Sequence, residues 1–291
     1  MVAVLEGFAP LAEAHDGFIL DLWGVIHDGV NPYPGAVEVL RNLQAAGNRV
    51  VLLSNAPRRS GAAQAAMRGM GIDDALYTGI LTSGEAVHLH LRDRDDPFFE
   101  SLGERVFHLG PERDKNVMEN LWLTEVPSPS LADWVLNTGP DDHKSDQCVD
   151  DFEDTLEACA ALDLKMVCAN PDLEVIRGGQ RVICAGALAA RYAELGGTVR
   201  LVGKPDPAIY ARVFRMLGVR DRARILAVGD ALRTDIAGAA SVGIPSAWVL
   251  GGIHGEELGL AADGGIDAVR VAQRAADAGL APLAALPAFR W

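Results

Sequence analysis

The chain has 291 residues, of which 49% are hydrophobic and 23% are charged, and its formal net charge is −14. This composition is typical of a globular protein that is long enough for a sizeable core and, we expect, two domains. Nucleic acids and anionic membranes are bound through clustered cations, so the negative charge argues against both as partners. It does not exclude a phosphorylated substrate, because a metal ion and a few local donors can dominate a small site.

The first part of the chain predicts a strand, a helix and a second strand. An apolar run at 18–20 ends in Asp21, an amphipathic pattern covers 36–46, and a β-branched and leucine-rich run at 49–53 ends in Ser54. Such a βαβ unit is expected to be right-handed and parallel. Asp21 and Ser54 should therefore lie side by side at the sheet edge where ligands bind in open α/β sheets.

The middle of the chain, residues 83–178, has an alternation of its own. Apolar runs at 105–109, 134–137 and 164–168 are separated by charged or helical segments. This length and pattern predict a separate α/β domain inserted into the first one. We therefore expect a core domain formed by 1–82 and 179–291 and an inserted domain at 83–178, with Gly178 and Gly179 as a hinge.

After residue 178 the first pattern resumes. A helix is predicted at 182–196, a strand at 198–202 that leads into Lys204, and a strand at 225–228 that ends in Asp230, with Asp235 five residues further on. If all these strands are parallel, their polar ends converge with Asp21 and Ser54. Several carboxylates together suit Mg²⁺, which prefers oxygen ligands and substrate phosphate oxygens. A hydroxyl and a lysine beside them would hold a phosphoryl group, and a carboxylate can act as its nucleophile.

These motifs, in this order, resemble those of the haloacid dehalogenase superfamily. Asp21 begins D-x-x-G-V, Ser54 is the hydroxyl at a strand end, Lys204 stands in Gly-Lys-Pro, and Asp230 and Asp235 form G-D-x-x-x-x-D. The large insertion, Ser54-Asn55 and Asn170-Pro171-Asp172 are similar to the class IIA branch, which includes NagD-type and pyridoxal-phosphate phosphatases. The resemblance covers nearly the whole chain.

The resemblance implies a Rossmann-like core with a parallel sheet and an inserted α/β cap of the C2 type. It also implies Mg²⁺ bound by Asp21, Asp230 and the backbone carbonyl of Trp23, with a water held by Asp235. Asn170 and Asp172 would belong to a substrate-specificity loop above the site, and a simple Asn-Pro-Asp turn is the alternative. Asn55, next to Ser54, is a further candidate for substrate binding, and relatives suggest a homodimer formed through the cap.

One departure from the family pattern concerns proton transfer. Phosphatases of this superfamily usually carry D-x-D, whose second Asp is the general acid and base, but here Trp23 occupies that position. An indole does not exchange a proton usefully at neutral pH. His27 and Asp28 follow in the same turn and are candidates for the role, since histidine has a suitable unperturbed pKa. A turn histidine without a catalytic function is the alternative.

The resulting prediction is a Mg²⁺-dependent phosphatase of small phosphomonoesters, including sugar phosphates, that acts through an aspartyl-phosphate on Asp21. The alternative is a regulatory or low-turnover protein that binds phosphate and metal, which Trp23 favours. A dehalogenase is a third reading, although Asp230 and Asp235 argue against it because the dehalogenases use no metal. The four cysteines form no C-x-x-C pair, so we expect reduced thiols and a cytoplasmic location. Neither a signal peptide nor a membrane-spanning segment is predicted.

Overall fold

The computed structural model describes residues 2–140, 147–177, 180–253, 255, 258 and 266–291. Its strands are β1 (Ala3–Val4), β2 (Gly17–Leu20), β3 (Arg49–Ser54), β4 (Gly79–Thr82), β5 (Arg105–Leu109), β6 (Thr124–Glu125), β7 (Trp134–Asn137), β8 (Lys165–Cys168), β9 (Glu174–Arg177), β10 (Gln180–Ile183), β11 (Val199–Leu201), β12 (Ile225–Gly229), β13 (Ser246–Val249) and β14 (Ala284–Leu286). Its α-helices are α1 (Ala9–Ala14), α2 (Ala36–Ala45), α3 (Ser60–Gly69), α4 (Ser83–Asp93), α5 (Pro97–Glu100), α6 (Glu153–Ala161), α7 (Ala185–Glu194), α8 (Pro207–Leu217), α9 (Ala237–Ser241) and α10 (Ala268–Asp277). Of these helices, none combines the length and the apolar character needed to cross a membrane.

The first sheet confirms the predicted α/β fold with a parallel sheet. Its strand order is β1-β14-β13-β12-β2-β3-β4, and all neighbouring pairs are parallel. All four residues of β2 are buried, as expected for a central strand covered on both faces. Between β2 and β3, α2 turns Val39, Leu40 and Leu43 inward, so the predicted βαβ unit is present.

The order of this sheet brings two motifs together. β12 and β2 are neighbours, with Val228 paired to Leu20, so the chain leaves both strands at the same edge. Asp21 follows one strand and Asp230 follows the other. The two aspartates are about two hundred residues apart in the sequence, but the strands that they follow are only one strand spacing apart, about 5 Å.

The second sheet changes one prediction about domain membership. Its strand order is β11-β8-β7-β5-β6, again parallel throughout. β11 pairs with β8, so the strand that leads to Lys204 belongs to this sheet and not, as expected, to the first. α7 also packs here, because its Leu188 and Tyr192 share a cluster with Met166.

The expected boundary between residues 178 and 179 therefore assigns β11 to the wrong sheet, since the chain leaves the second sheet only after Leu201. The apolar pattern of a short strand shows that it is buried but not which sheet it joins. Gly178 and Gly179, the proposed hinge, lie outside the described residues. The expected start of the insertion at residue 83 follows directly on β4, and the division into core and cap domains stays a prediction.

A two-stranded antiparallel hairpin, β9-β10, stands apart from both sheets. It follows the Asn170-Pro171-Asp172 loop and contacts the turn after β2. The indole Nε1 of Trp23 donates a hydrogen bond of 2.8 Å to the carbonyl oxygen of Ile176 on β9. This bond holds the hairpin over the end of the first sheet that carries Asp21.

Candidate active site

Three buried carboxylates form the centre of the site. Asp21, Asp230 and Asp235 each offer an oxygen within 4.8 Å of the oxygens of the other two. Asp21 and Asp230 follow adjacent strands, and Asp235 lies in the single turn of π-helix Leu232–Ile236 after β12. Burial and repulsion from Asp235 raise the pKa of both Asp21 and Asp230. A cation bound between them would remove this repulsion, so the donor set suits a divalent metal ion with oxygen ligands.

Lys204 reaches this cluster from the loop after β11. Its Nζ lies 2.7 Å from Asp21 Oδ1 and 2.6 Å from Asp235 Oδ1. Burial opposes the charge on Lys204, but the carboxylates of Asp21 and Asp235 outweigh this effect and raise its pKa. The ammonium group therefore stays protonated, and one cation faces three carboxylates. The predicted convergence of Asp21, Lys204, Asp230 and Asp235 is present, with Lys204 supplied by the second sheet.

Backbone geometry orients the Asp230 carboxylate. Its Oδ2 accepts a hydrogen bond of 2.8 Å from the backbone N–H of Ile253. Gly24, at a φ of +81°, and Gly252 both lie against this carboxylate, where a Cβ atom would overlap it. Substituting either glycine would displace the carboxylate, which explains why the turn after β2 contains Gly24.

Asn55 connects three loops at the site. Its Nδ2 donates to Asp172 Oδ1 at 3.0 Å and to the carbonyl of Lys204 at 3.1 Å, and its Oδ1 accepts from the Lys204 N–H at 2.8 Å. The Asn55 amide thus positions Lys204 and Asp172, and substrate binding by Asn55 stays a prediction. Ser54, beside it, is buried, and its hydroxyl accepts a hydrogen bond of 3.2 Å from the Ala56 N–H.

The loop after β8 carries Asn170 and Asp172 to the same place. Asn170 Oδ1 accepts a hydrogen bond of 3.0 Å from the Asp172 N–H, which folds the loop on itself. Burial raises the pKa of Asp172, with the nearby Lys204 opposing. Asp172 lines the same two cavities as Asp21, and the role of this loop in substrate specificity stays a prediction.

Trp23 stands where two cavities meet. The larger cavity has a volume of about 740 Å³ and the smaller about 170 Å³, and Asp21, Trp23 and Asp172 line both. The indole packs against His27, with ring centroids 5.6 Å apart, and lies against Gly29, where a Cβ atom would overlap the ring. The turn therefore accommodates the indole, which forms part of the cavity lining and supplies a hydrogen-bond donor.

The structure does not bring His27 and Asp28 into these cavities. His27 is buried beneath Trp23, and its Nδ1 accepts a hydrogen bond of 3.1 Å from the Gly29 N–H. Asp28 points to solvent and accepts hydrogen bonds from the N–H groups of Asn31 and Val30, which lower its pKa. Both side chains stabilise the turn, so the geometry gives no support to their predicted role in proton transfer.

His27 should instead make the stability of the protein depend on pH. Burial lowers its pKa from 6.5 to about 4. Between these values the unfolded chain binds a proton and the folded chain does not, so the free energy of unfolding decreases as the pH falls. Between pH 7.5 and pH 5 the loss from this group amounts to about 2 kcal/mol. Urea denaturation of wild type and His27→Gln at both pH values checks this, since the variant should lose less. Equal pH dependence in the two proteins would contradict it.

The sequence reasoning missed a group of charged residues in the smaller cavity, namely Arg113, Asp114 and Arg177. Arg113 and Asp114 lie in the 3₁₀ turn Glu112–Met118, a few residues after β5. The rule that led to Asp21 and Ser54, polar residues after a parallel strand, would also have identified this turn.

Comparison with known proteins confirms the family that the motifs predict. Residues 18–123 match the model of a haloacid dehalogenase-like hydrolase family, and residues 201–278 match a second model of related hydrolases. Chronophin from Bos taurus is 31% identical over 257 residues, which cover 83% of this chain and 83% of chronophin.

Solved structures agree with this result. A haloacid dehalogenase-like hydrolase from Brucella suis is 29% identical with a TM-score of 0.83, covering 98% of this chain and all of that one. A glycerol phosphate phosphatase from Mycobacterium tuberculosis, solved in complex with magnesium, is 27% identical with a TM-score of 0.62, covering 84% of this chain and 70% of that one. On the fold, the order of its motifs and these relatives, the chain belongs to the haloacid dehalogenase superfamily of hydrolases, in its class IIA branch.

Proposed function

We propose that this protein is a Mg²⁺-dependent phosphatase of small phosphomonoesters, sugar phosphates among them, with Asp21 as the nucleophile. The observation that carries the proposal is the buried cluster of Asp21, Asp230 and Asp235 with Lys204 Nζ at 2.7 Å from Asp21. It unites a carboxylate nucleophile, two further oxygen ligands and a fixed cation. The name of the magnesium-containing relative, a glycerol phosphate phosphatase, supports the same substrate class.

In the proposed reaction each residue of the site has its own role. An Asp21 carboxylate oxygen forms a bond to phosphorus while the bond to the leaving oxygen breaks, and water then hydrolyses the aspartyl-phosphate to release inorganic phosphate. Lys204 would neutralise charge on the transferred group, and the Ser54 hydroxyl would hold one of its oxygens. Asp21, Asp230, the Trp23 carbonyl and Asp235 would hold Mg²⁺, which when bound shields the negative charge of phosphate and nucleophile from each other.

The hairpin and the second sheet would act as the cap over this reaction. The Trp23–Ile176 hydrogen bond and the Asn55–Asp172 hydrogen bond both connect the first sheet to elements above it. Closure of such a cap excludes water from the site. Asn170 and Asp172 would then contact the leaving group. A cap-mediated homodimer and a cytoplasmic location stay predictions.

A second function is favoured by one specific observation. Trp23 occupies the position of the usual acid and base, and its indole N–H is already bonded to Ile176. A protein that binds phosphate and metal with little turnover, in a regulatory role, would tolerate this arrangement. The two functions differ in turnover number and not in binding, so a rate measurement separates them.

The test of the proposed function is a phosphatase assay on a panel of sugar, glycerol, nucleoside and aryl phosphates, with Mg²⁺ and with EDTA. We expect multiple turnovers on at least one ester with Mg²⁺ and loss of that activity with EDTA. Stoichiometric phosphate release without turnover would favour the regulatory alternative. Metal-independent release of halide from haloacids would favour a dehalogenase.

Asp230→Asn should weaken Mg²⁺ binding by at least about tenfold and reduce phosphatase activity with it, because a carboxylate is a far better ligand for this ion than an amide. Isothermal titration with Mg²⁺ and the activity assay measure the two effects. Asp221→Asn, an exposed aspartate before the same strand, is the matched control. Full activity in Asp230→Asn would remove the metal from the proposed mechanism.

A further inference from the structure

The smaller cavity is lined by residues that follow strands of both parallel sheets. Asp21 and Ser54 line it from the first sheet, and Thr138, directly after β7, lines it from the second. In phosphoryl transfer the attacking and leaving oxygens lie roughly in line with phosphorus. The leaving group of an ester attacked by Asp21 therefore points away from the first sheet, toward the part of the lining that the second sheet supplies.

The backbone around Thr138 is fixed on both sides. The Thr138 N–H donates a hydrogen bond of 2.9 Å to the carbonyl of Leu109, which extends the pairing of β5 and β7 by one residue. The buried side chain of Asn137 accepts a hydrogen bond of 3.1 Å from the Gly139 N–H and donates one of 3.0 Å to the Ala185 carbonyl. Thr138 itself is only 3% exposed, so its side chain has a defined place in the lining.

His108, on β5, is the hydrogen-bond partner of the Thr138 hydroxyl. Its Nε2 lies 2.8 Å from Thr138 Oγ1, and both side chains are buried. Gly110 makes this contact possible, because a Cβ atom there would overlap Thr138 Oγ1. Among the residues that the structure describes, no other group forms a hydrogen bond with the Thr138 hydroxyl. The direction in which this hydroxyl donates therefore depends on which nitrogen of His108 carries the proton.

The surroundings of His108 determine the position of its ring proton. Burial lowers the pKa of His108 to about 4, so the ring is uncharged at neutral pH and carries one N–H. Its Nδ1 is buried and, within the described parts of the chain, has no hydrogen-bond partner. A buried N–H without an acceptor is rarer in folded proteins than an acceptor without a donor. The hydrogen-bond network therefore assigns the proton to Nε2, which donates it to Thr138 Oγ1.

In this tautomer the Thr138 hydroxyl accepts a hydrogen bond from His108, and its own proton has no acceptor among the described residues. The acceptor is then a molecule in the cavity that Thr138 lines. We infer that the smaller cavity binds the leaving group of the substrate and that Thr138 donates a hydrogen bond to an oxygen atom on it, with His108 as the residue that positions the hydroxyl.

This inference rests on the proposed phosphatase function and narrows its substrates. The leaving group carries a hydroxyl, ether or carbonyl oxygen that accepts the hydrogen bond from Thr138, as the alcohol of a polyol phosphate does. A cavity of about 170 Å³ limits this leaving group to a compact one.

The tautomer is tested on the wild type without a ligand. Long-range proton–nitrogen NMR correlations distinguish a histidine protonated at Nε2 from one protonated at Nδ1, and His108→Gln identifies the signals of His108. We expect the Nε2–H form at neutral pH. Protonation at Nδ1 would overturn the inference, because the Thr138 hydroxyl would then donate to His108 and not to a ligand.

Binding measurements test the contact with the leaving group. Pentylphosphonate is compared by isothermal titration, with Mg²⁺ present, with 2-ethoxyethylphosphonate and 3-methoxypropylphosphonate, in which an ether oxygen replaces one methylene. A neutral hydrogen bond contributes roughly two- to tenfold in affinity. Thr138→Val keeps the shape of the side chain but loses the hydroxyl, so it should lower the affinity of at least one ether relative to pentylphosphonate by about this factor. Thr138→Ser should keep the wild-type ratio, as should Thr124→Val at an exposed threonine of β6.

The outcomes separate the subsite from the proposed function. An unchanged ratio for both ethers in Thr138→Val would overturn the role of Thr138, whatever the phosphatase assay shows. An equal loss in Thr138→Ser would assign the effect to packing and would also overturn it. If the ratios change as expected but no ester is hydrolysed, the proposed function fails and the subsite remains. If none of the three phosphonates binds, the subsite fails together with the phosphate site.

Discussion

Asp21→Asn should reduce phosphate-ester hydrolysis by at least about 10³-fold, since an amide cannot replace the carboxylate as nucleophile. The variant should fold normally. Removing one of three buried carboxylates abolishes the repulsion that Asp235 and Asp230 exert on the Asp21 carboxylate, and Lys204 keeps its 2.6 Å ion pair with Asp235. We therefore expect a thermal midpoint equal to or above that of the wild type, together with loss of activity.

The matched control is Asp16→Asn. Asp16 lies at the opposite end of β2 from Asp21, is exposed, and pairs with Arg224 at the surface. Such exposed ion pairs contribute little to stability, so this variant should retain wild-type kcat. Both variants are assayed on the same ester with saturating Mg²⁺. Activity in Asp21→Asn within tenfold of the wild type would exclude Asp21 as the nucleophile.

The wild type should strongly prefer activated aryl phosphates over alkyl phosphates. A nitrophenolate leaves without a proton, whereas an alkoxide needs one, and general acid catalysis contributes about 10²–10⁴-fold. Trp23 supplies no such proton, because the indole N–H is bonded to the Ile176 carbonyl at 2.8 Å. Trp23→Asp should lower the ratio of the kcat/KM value for 4-nitrophenyl phosphate to that for a simple alkyl phosphate.

A second variant separates proton transfer from packing. Trp23→Phe keeps an aromatic ring against His27 and Gly29 but loses the hydrogen bond to Ile176. Trp23→Phe should leave the ratio of kcat/KM values for aryl and alkyl phosphates near the wild-type value. This holds even if the loss of the hydrogen bond loosens the hairpin and changes KM. Equal rates on both ester types in the wild type would mean that another group donates the proton. The next candidate for the proton donor would be Asp172, because it lines both cavities with Asp21 and burial raises its pKa. The variant Asp172→Asn would test this role.

Most of the first sheet could be predicted from the sequence, because central strands of a parallel sheet are buried on both faces and are therefore continuous apolar runs. Asp21, Ser54 and Asp230 stand directly after such runs, and the parallel order places them at one edge. The family motifs carry the same information, since each residue type is required at its own strand end. The family and the carboxylate cluster thus followed from local sequence, and the comparisons confirm the family.

The pairing of the strands and the direction in which each side chain points could be known only from the tertiary structure. A three-residue strand such as β11 is compatible with either sheet, and the structure pairs it with β8, in the sheet against which α7 packs. His27 and Asp28 follow Asp21 closely in sequence, yet the turn at Gly24 directs one into the core and the other to solvent. Arg58, Arg113 and Arg177 are distant in sequence and line one cavity only because the loop after β3, the turn after β5 and the strand β9 meet there. Sequence determined which residues stand at the strand ends, and the packing of the two sheets and the hairpin determined which of them face the same space.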